Sequence, residues 1–147
     1  MRKLIPTLIA CICLCCPLGW AHADFWYPAN QSTLAWDHEN TNTLPDGTVV
    51  TIPQEELSYR VFRTLSSAPD KENPEFLGNT TDKSFLVRFA EEGRYLLGVQ
   101  AVRTIPGVEK PVTSVIAWSD DPAATHDLPF GVEFFVPPAA PVGVRAE

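Results

Sequence analysis

The stretch Tyr95-Leu96-Leu97-Gly98-Val99-Gln100-Ala101-Val102-Arg103 decides the fold class of this chain. Apolar side chains recur at every second position, which is the period of a β-strand that buries one face of its sheet. Shorter runs of the same kind are Ser32–Asp37, Leu57–Arg63, Ser84–Phe89 and Val112–Trp118. Clusters of Pro, Gly, Asn and Asp separate these runs, and no long segment has apolar residues at helical spacing. The sequence therefore predicts an all-β domain.

Alternation also predicts which side chains form the core, because every second residue of a half-buried strand faces inward. The predicted core residues are Leu34, Trp36, Tyr59, Val61, Phe89, Tyr95, Leu97 and Val99. Between the first two runs, Asp46-Gly47 predicts a tight turn that leads into a short strand. The polar segment Ser66–Asn73 predicts a mobile loop.

The residues from Phe89 to Val102 resemble the E–F segment of fibronectin type III domains, whose pattern is L-x-P-G-x-x-Y-x-x-x-V-x-A-V. Phe89 stands at the leucine of that pattern, Tyr95 at its tyrosine corner, and Val99 at a core position, while Gly93 comes one place late. Upstream, Leu34 and Trp36 resemble the strand-B pair, and the run 59–63 resembles the Y-x-V-x-R run of strand C.

This resemblance covers about residues 31–118 and implies an immunoglobulin-like sandwich of two sheets. It implies a structural or binding module, because the family has no shared catalytic site. Two features depart from the family pattern. The connection between the strand-B and strand-C runs is long, and the segment Asp24–Asn30 is too short to supply a Pro-rich first strand.

The N-terminal residues 1–23 predict a secretory signal peptide. Arg2 and Lys3 precede an apolar run from Leu4 to Leu18, and small residues lead to a predicted cleavage after Ala23. The apolar run is too short for stable membrane insertion. We expect the chain to be secreted or periplasmic, with lipidation at Cys11, in the lipobox-like Leu8–Cys11, as the alternative.

Cleavage at this point changes both the cysteine content and the charge. The four cysteines all lie in the predicted leader: Cys11, Cys13, Cys15 and Cys16. Losing Arg2 and Lys3 reduces the basic residues from 11 to nine, so that with 18 acidic residues the net charge becomes −9. The exported chain is expected to have no disulfide, and its charge disfavours nucleic acid and anionic membranes as partners.

Residues 24–119 are predicted to form the fibronectin type III-like domain, and residues 120–147 a Pro-rich tail. Within the tail, Pro138–Arg145 resembles the P-x-x-P-x-x-V opening of a type III domain, which is the strand missing at the front. Three arrangements follow from this. The tail fills its own edge as an added strand, fills the edge of a neighbouring copy and so mediates self-association, or remains a disordered linker.

No arrangement of residues predicts catalysis or a resident cofactor. His38 and His126 do not have metal-ligand spacing with each other or with cysteine. The pairs Glu91-Glu92 and Asp120-Asp121 predict solvated turns, with weak calcium binding at Asp120-Asp121 as the alternative. There is no nucleophile elbow and no Gly-rich phosphate loop. We predict a protein that is not an enzyme and that binds no cofactor or metal.

Aromatic residues flank the domain and are the candidate partner-binding residues. They are Trp26 and Tyr27 after the predicted cleavage site, and Phe134 and Phe135 in the tail. Exposed together they form a patch for a protein or glycan partner; packed, they cap the open end of the sandwich. The predicted function is an exported, non-catalytic binding or structural module. The alternatives are an accessory subunit of a secreted enzyme or assembly machine, and a small hydrolase.

Overall fold

A computed structural model describes residues 25–140 and residue 142. The predicted signal peptide with its four cysteines lies outside the described residues, as do Pro141 and residues 143–147 of the tail. Within the described residues the one helical element is the 3-10 turn Gln54–Glu56. No helix of this part of the chain is long and apolar enough to cross a membrane.

The described residues are organised in strands, as the alternating runs predict. The strands are β1 (Phe25–Pro28), β2 (Gln31–Ala35), β3 (Thr41–Thr43), β4 (Val49–Thr51), β5 (Leu57–Leu65), β6 (Glu75–Thr80), β7 (Ser84–Arg88), β8 (Gly93–Arg103), β9 (Val112–Thr113), β10 (Ala117–Trp118) and β11 (Phe130–Phe134).

The larger sheet has the strand order β1-β11-β8-β5-β6, and β9 and β10 also pair with β8. A second sheet consists of β2 and β7, and β3 and β4 form a separate hairpin whose turn contains Gly47 at φ 85°. Buried side chains from both the larger and the two-stranded sheet share one core cluster. The protein is therefore all-β, in an arrangement consistent with a β-sandwich.

The last strand is longer and less regular than the run Val112–Trp118 predicts. β9, β10 and β11 follow one another along β8, which pairs Val102 with Thr113, Gly98 with Trp118 and Tyr95 with Val132. Residues 119–129 leave the sheet between β10 and β11. We call residues 119–130 the wall loop. Part of the predicted tail thus lies within the fold, because Val132 is fully buried and Phe130 and Phe134 pack against the core.

The N-terminal segment, which the sequence suggests is too short for a first strand, forms β1. It pairs in parallel with β11, from Phe25 opposite Phe130 to Pro28 opposite Glu133. The tail segment Val136–Ala140 is in no strand, so the strand that the tail region adds to the sheet is β11 and not the Pro-rich run after it.

Six of the eight predicted core residues are buried: Leu34, Tyr59, Val61, Phe89, Tyr95 and Leu97. Trp36 and Val99 are partly buried and pack against the same cluster. Further buried apolar residues, outside the predicted set, are Leu57, Val87, Leu96, Val102, Trp118 and Val132. Trp118, and not Trp36, is the most buried tryptophan of the described residues, because it packs over Gly98 on β8.

Asp120 corrects the prediction of a solvated acidic turn. Its residue is 2% exposed, and its two carboxylate oxygens accept hydrogen bonds from Lys71 Nζ at 2.7 and 2.8 Å. The same ammonium group lies 5.6 Å from the ring centre of Trp118. This ion pair joins the segment Ser66–Asn73, predicted as a mobile loop, to the base of the wall loop.

Candidate functional site

A groove of about 470 Å³ opens between the two sheets, beside the end of β2. Its lining residues come from both sheets, from β1 and from the wall loop: Tyr27, Ala35, Trp36, Asp37, His38, Tyr59, Val99, Ala101, Ser114, Ala117, Ala124, Thr125, His126, Leu128 and Phe130. We call this cavity the aromatic groove. It exists because the two-stranded sheet is narrower than the sheet opposite, so that part of the inner face of β5 and β8 is left uncovered.

Two aromatic pairs lie in the aromatic groove. The rings of Trp36 and Tyr59 meet edge to face with their centres 5.2 Å apart. Those of Tyr27 and Phe130 meet in the same way at 6.0 Å. Tyr59 is 1% exposed and supports Trp36 from within the core through this edge-to-face contact, so Trp36, Tyr27 and Phe130 supply the accessible aromatic surface of the groove.

Polar groups stand among these rings. The hydroxyl oxygen of Tyr59 lies 3.2 Å from His38 Nδ1, within hydrogen-bond distance. Burial raises the pKa of Tyr59 above its ordinary value, and the protonated phenol carries an O–H donor. The described lining residues include one carboxylate, that of the exposed Asp37, and neither lysine nor arginine. The groove thus combines apolar rings with a single negatively charged side chain, that of Asp37.

The segment 36–38 is held in place by the neighbouring strand connection. The Trp36 amide donates to the carbonyl of Lys83 at 3.1 Å, and Lys83 Nζ donates to the carbonyl of His38 at 2.6 Å. These two bonds continue the pairing of β2 with β7 beyond the end of the strands. They fix both the indole and the imidazole that line the groove.

The wall loop closes the opposite side of the aromatic groove. Its ends meet where the Phe130 amide donates to the carbonyl of Ser119 at 2.8 Å. Ser119 is itself tied to β8, because its Oγ accepts from the Leu97 amide at 3.0 Å and its own amide donates to the Leu97 carbonyl at 2.8 Å. A compact loop with its ends joined in this way is a common site of function.

Two consecutive residues of the wall loop have left-handed backbone conformations. His126 has φ 52° and Asp127 has φ 63°. Side chains other than glycine adopt this region at a cost in free energy, although His and Asp do so more readily than most residues. The loop reverses direction at this point, and His126 comes to line the groove.

Trp36 also provides an unused hydrogen-bond donor. Its Nε1 is buried and has no acceptor among the described residues, although the indole belongs to the groove lining. A buried donor without an acceptor costs about 1–3 kcal/mol. Because this atom is buried, its N–H is not presented to the groove.

The structure does not bring the four candidate partner-binding residues together. Tyr27 is 57% exposed and lines the aromatic groove. Trp26 lies on the other face of β1, half-buried over Gly131, with the Arg94 guanidinium 5.0 Å from its ring centre. Phe134 packs against the core, whereas Phe135 is 56% exposed beyond the far end of β11. Of the four, Tyr27 alone belongs to the groove.

The sequence interpretation missed most of the groove. The sequence predicts no metal site at His38 and His126, which it places in loops, and makes no prediction for Leu128, yet all three line the groove. Groups of three or more His, Cys, Asp or Glu that could hold a metal ion do not occur in residues 25–140 and 142. One local feature indicated part of the groove: Trp36 and Tyr59 lie in predicted strands, and His38 directly follows the first of them.

The comparisons with known proteins add no relative: no family model, no curated protein and no solved structure matches this chain.

Proposed function

We propose that this chain is an exported, non-catalytic binding module built on a fibronectin type III-like sandwich, and that it binds a protein partner in the aromatic groove. The observation that carries the proposal is the groove itself, which combines fixed aromatic rings with a few polar groups. Its volume of about 470 Å³ lies within the usual range for binding pockets.

The tyrosine of the resemblance supports the fibronectin-like part of this proposal. The Tyr95 hydroxyl donates a hydrogen bond of 2.8 Å to the carbonyl of Glu91, four residues upstream. A tyrosine near the start of strand F, bonded back to the backbone a few residues before it, is the tyrosine corner of immunoglobulin-like sandwiches. The pairing of β8 with β5 and of β2 with β7 is compatible with the same arrangement.

The lining chemistry favours recognition over reaction. Aromatic rings supply a large contact area at low cost in side-chain entropy, and the imidazole groups of the lining supply hydrogen bonds that orient a partner. Tyr27 and Leu128, which are 57% and 62% exposed, lie at the mouth, where a partner would cover apolar surface. Export is supported by the leader-like composition of residues 1–23.

The experiment is a pull-down from the exported fraction with the full chain and with two matched variants. Leu128→Asp places a charge in the groove at an exposed position. Phe76→Asp is the control, because it places the same charge on β6, outside the groove, at an aromatic residue that is 51% exposed. We expect both the unaltered chain and Phe76→Asp to retain the partner and Leu128→Asp to lose it. Equal retention by both variants would contradict the proposed site.

The identity of a retained partner also separates the alternatives. A secreted enzyme or an assembly component that accompanies the chain would make it an accessory subunit. A partner that binds through glycans would lose its binding after enzymatic removal of those glycans. In every case the groove variant tells whether the contact passes through the aromatic groove.

A further inference from the structure

We infer that the aromatic groove binds residues 135–147, the Pro-rich end of the tail, of a second copy of this chain, so that copies associate head to tail. This inference rests on the proposed function, because it takes the aromatic groove as the binding site, and it names the partner. Three observations carry it: the chemistry of the groove, the composition of the tail, and the positions of groove and tail at opposite ends of the domain.

The groove suits an extended proline-rich segment. Such segments adopt the polyproline II helix, which has no internal hydrogen bonds, so that its carbonyl groups are free to accept. Aromatic-lined grooves recognise them by stacking rings against the pyrrolidine faces and by donating to the free carbonyls. The rings of Trp36, Tyr27 and Phe130 supply the first element, and the imidazoles of His38 and His126 in the groove lining carry N–H groups for the second.

The chain carries a segment of this composition directly after its last strand. The sequence Pro137-Pro138-Ala139-Ala140-Pro141 contains a P-x-x-P spacing, and residues 135–140 are exposed. Its first part is preordered by the proline rings, which lowers the entropy lost on binding.

The charges of the tail and of the groove are complementary. The tail contains one cation, Arg145, which is the sole lysine or arginine after Lys110 in the sequence. The groove lining offers the Asp37 carboxylate and no lysine or arginine among its described residues. An Arg–carboxylate contact across the interface would set the direction in which the tail lies in the groove.

The tail leaves the domain at the end away from the groove. Phe130 lines the groove, whereas Phe134 pairs with Gly93 at the start of β8, about 13 Å further along the strand at 3.3 Å per residue. Beyond the end of β11, the Val136 amide donates a hydrogen bond to the Glu92 carboxylate, which fixes the backbone at Val136. Residues 136–140, the part of the segment that the structure describes without a gap, are exposed and in no strand, and they begin at the end of β11 away from the groove.

An interface between two different surfaces of identical copies repeats. One copy presents its tail and the next presents its groove, so an open assembly keeps a free groove at one end and a free tail at the other. Head-to-tail association therefore produces open chains or closed rings whose size grows with protein concentration.

Complementation between two variants of the full exported chain tests this inference by sedimentation velocity. Leu128→Asp disables the groove and leaves the tail intact, and Pro138→Asp/Pro141→Asp disables the tail and leaves the groove intact. Matched controls are Phe76→Asp and Pro69→Asp, which alter an exposed aromatic and an exposed proline elsewhere. We expect the unaltered chain and both controls to associate with rising concentration, and each disabled variant to have its dissociation constant raised about tenfold or more.

The mixture of the two disabled variants gives the decisive result. One intact tail and one intact groove remain, so the mixture is expected to form a dimer and no larger species. A mixture that stays monomeric, or an unaltered chain that is monomeric at about 1 mM, overturns the inference. A concentration-independent monomer in which the tail variant shifts the Trp36 indole resonance would place the tail in its own groove, and this too overturns it.

These outcomes are separable from a failure of the proposed function. If the chain stays monomeric but Leu128→Asp loses a partner in the pull-down, the groove is a binding site for another protein and the tail inference alone is wrong. If the copies associate and neither Leu128→Asp nor the tail variant affects the association, the contact lies outside the groove and the tail, and the inference is wrong.

Discussion

We predict that the two charges of the Lys71–Asp120 ion pair contribute unequally to the free energy of unfolding. The side chain of Asp120 is 3% exposed and that of Lys71 is 37% exposed. If Lys71 is replaced by methionine, the carboxylate stays buried without its counter-ion. If Asp120 is replaced by asparagine, the ammonium group can turn towards water. Lys71→Met is therefore the more damaging change.

The magnitudes follow from this difference in access to water. Removal of one partner of a fully buried ion pair costs about 3–5 kcal/mol. Because Lys71 is partly solvated, we expect Lys71→Met to lower the free energy of unfolding by about 2–3 kcal/mol. Asp120→Asn removes a charge-assisted hydrogen bond but leaves a polar group of the same shape, so we expect a loss of about 1 kcal/mol.

Urea unfolding followed by tryptophan fluorescence measures both effects, with the change read from the midpoint at constant slope. Lys110→Met is the control, because Lys110 is exposed and a surface change of this kind is expected to stay within about 0.5 kcal/mol. The double variant Lys71→Met/Asp120→Asn is expected to be more stable than Lys71→Met alone. If Asp120→Asn proved as damaging as Lys71→Met, or more so, the argument from burial would be refuted.

Three further predictions concern the strands around the groove. Gly131→Ala brings a Cβ against the ring of Trp26 and should cost about 1–3 kcal/mol in urea unfolding, with an altered Trp26 fluorescence; an unchanged midpoint would count against this packing. Tyr95→Phe removes the hydrogen bond to Glu91 and should cost about 0.5–1.5 kcal/mol; a neutral result would show that the corner bond adds nothing. Because burial raises the folded-state pKa of Tyr59, the free energy of unfolding should fall as the pH rises above about 10, and Tyr59→Phe should flatten that fall; an equal pH dependence in both proteins would contradict it.

The regular part of the fold could be predicted from the sequence because its information is local. β5 buries the alternate residues Leu57, Tyr59 and Val61, and this period of two is visible in the run that begins at Leu57, whereas β8 buries the four consecutive residues 95–98 although its run predicts alternation. The run Ser84–Phe89 likewise places Phe89 in the predicted core, and Phe89 is buried. The Asp46-Gly47 turn is likewise a local feature, since glycine supplies the positive φ that the turn requires.

The positions of β1 and β11 could not be predicted in this way. They pair in parallel although about 100 residues separate them, and each is a short run next to prolines. Parallel pairing of distant segments leaves no mark in the local pattern of either strand. The interruption of the last strand by residues 119–129 could not be predicted for the same reason. It depends on the hydrogen bond between the Phe130 amide and the Ser119 carbonyl, which joins the two ends of the wall loop.

The aromatic groove is a product of this long-range topology. Its walls combine Tyr27 from the first strand, Trp36 from the segment after β2, and His126 and Leu128 from the wall loop. Taken singly in the sequence, none of these residues indicates a binding groove. They become a candidate site because β1 and β11 are added next to β8 and the wall loop folds across the uncovered inner face.

The most direct test of the account is a nitrogen–proton NMR titration of the tail variant Pro138→Asp/Pro141→Asp with a synthetic peptide of residues 135–147. This variant keeps an intact groove and offers no competing tail. The predicted result is a saturable shift of the Trp36 indole N–H, accompanied by shifts at Tyr27 and Leu128. Shifts confined to the surface around Phe76, or no shift at millimolar peptide, would contradict the claim that the aromatic groove binds the Pro-rich tail.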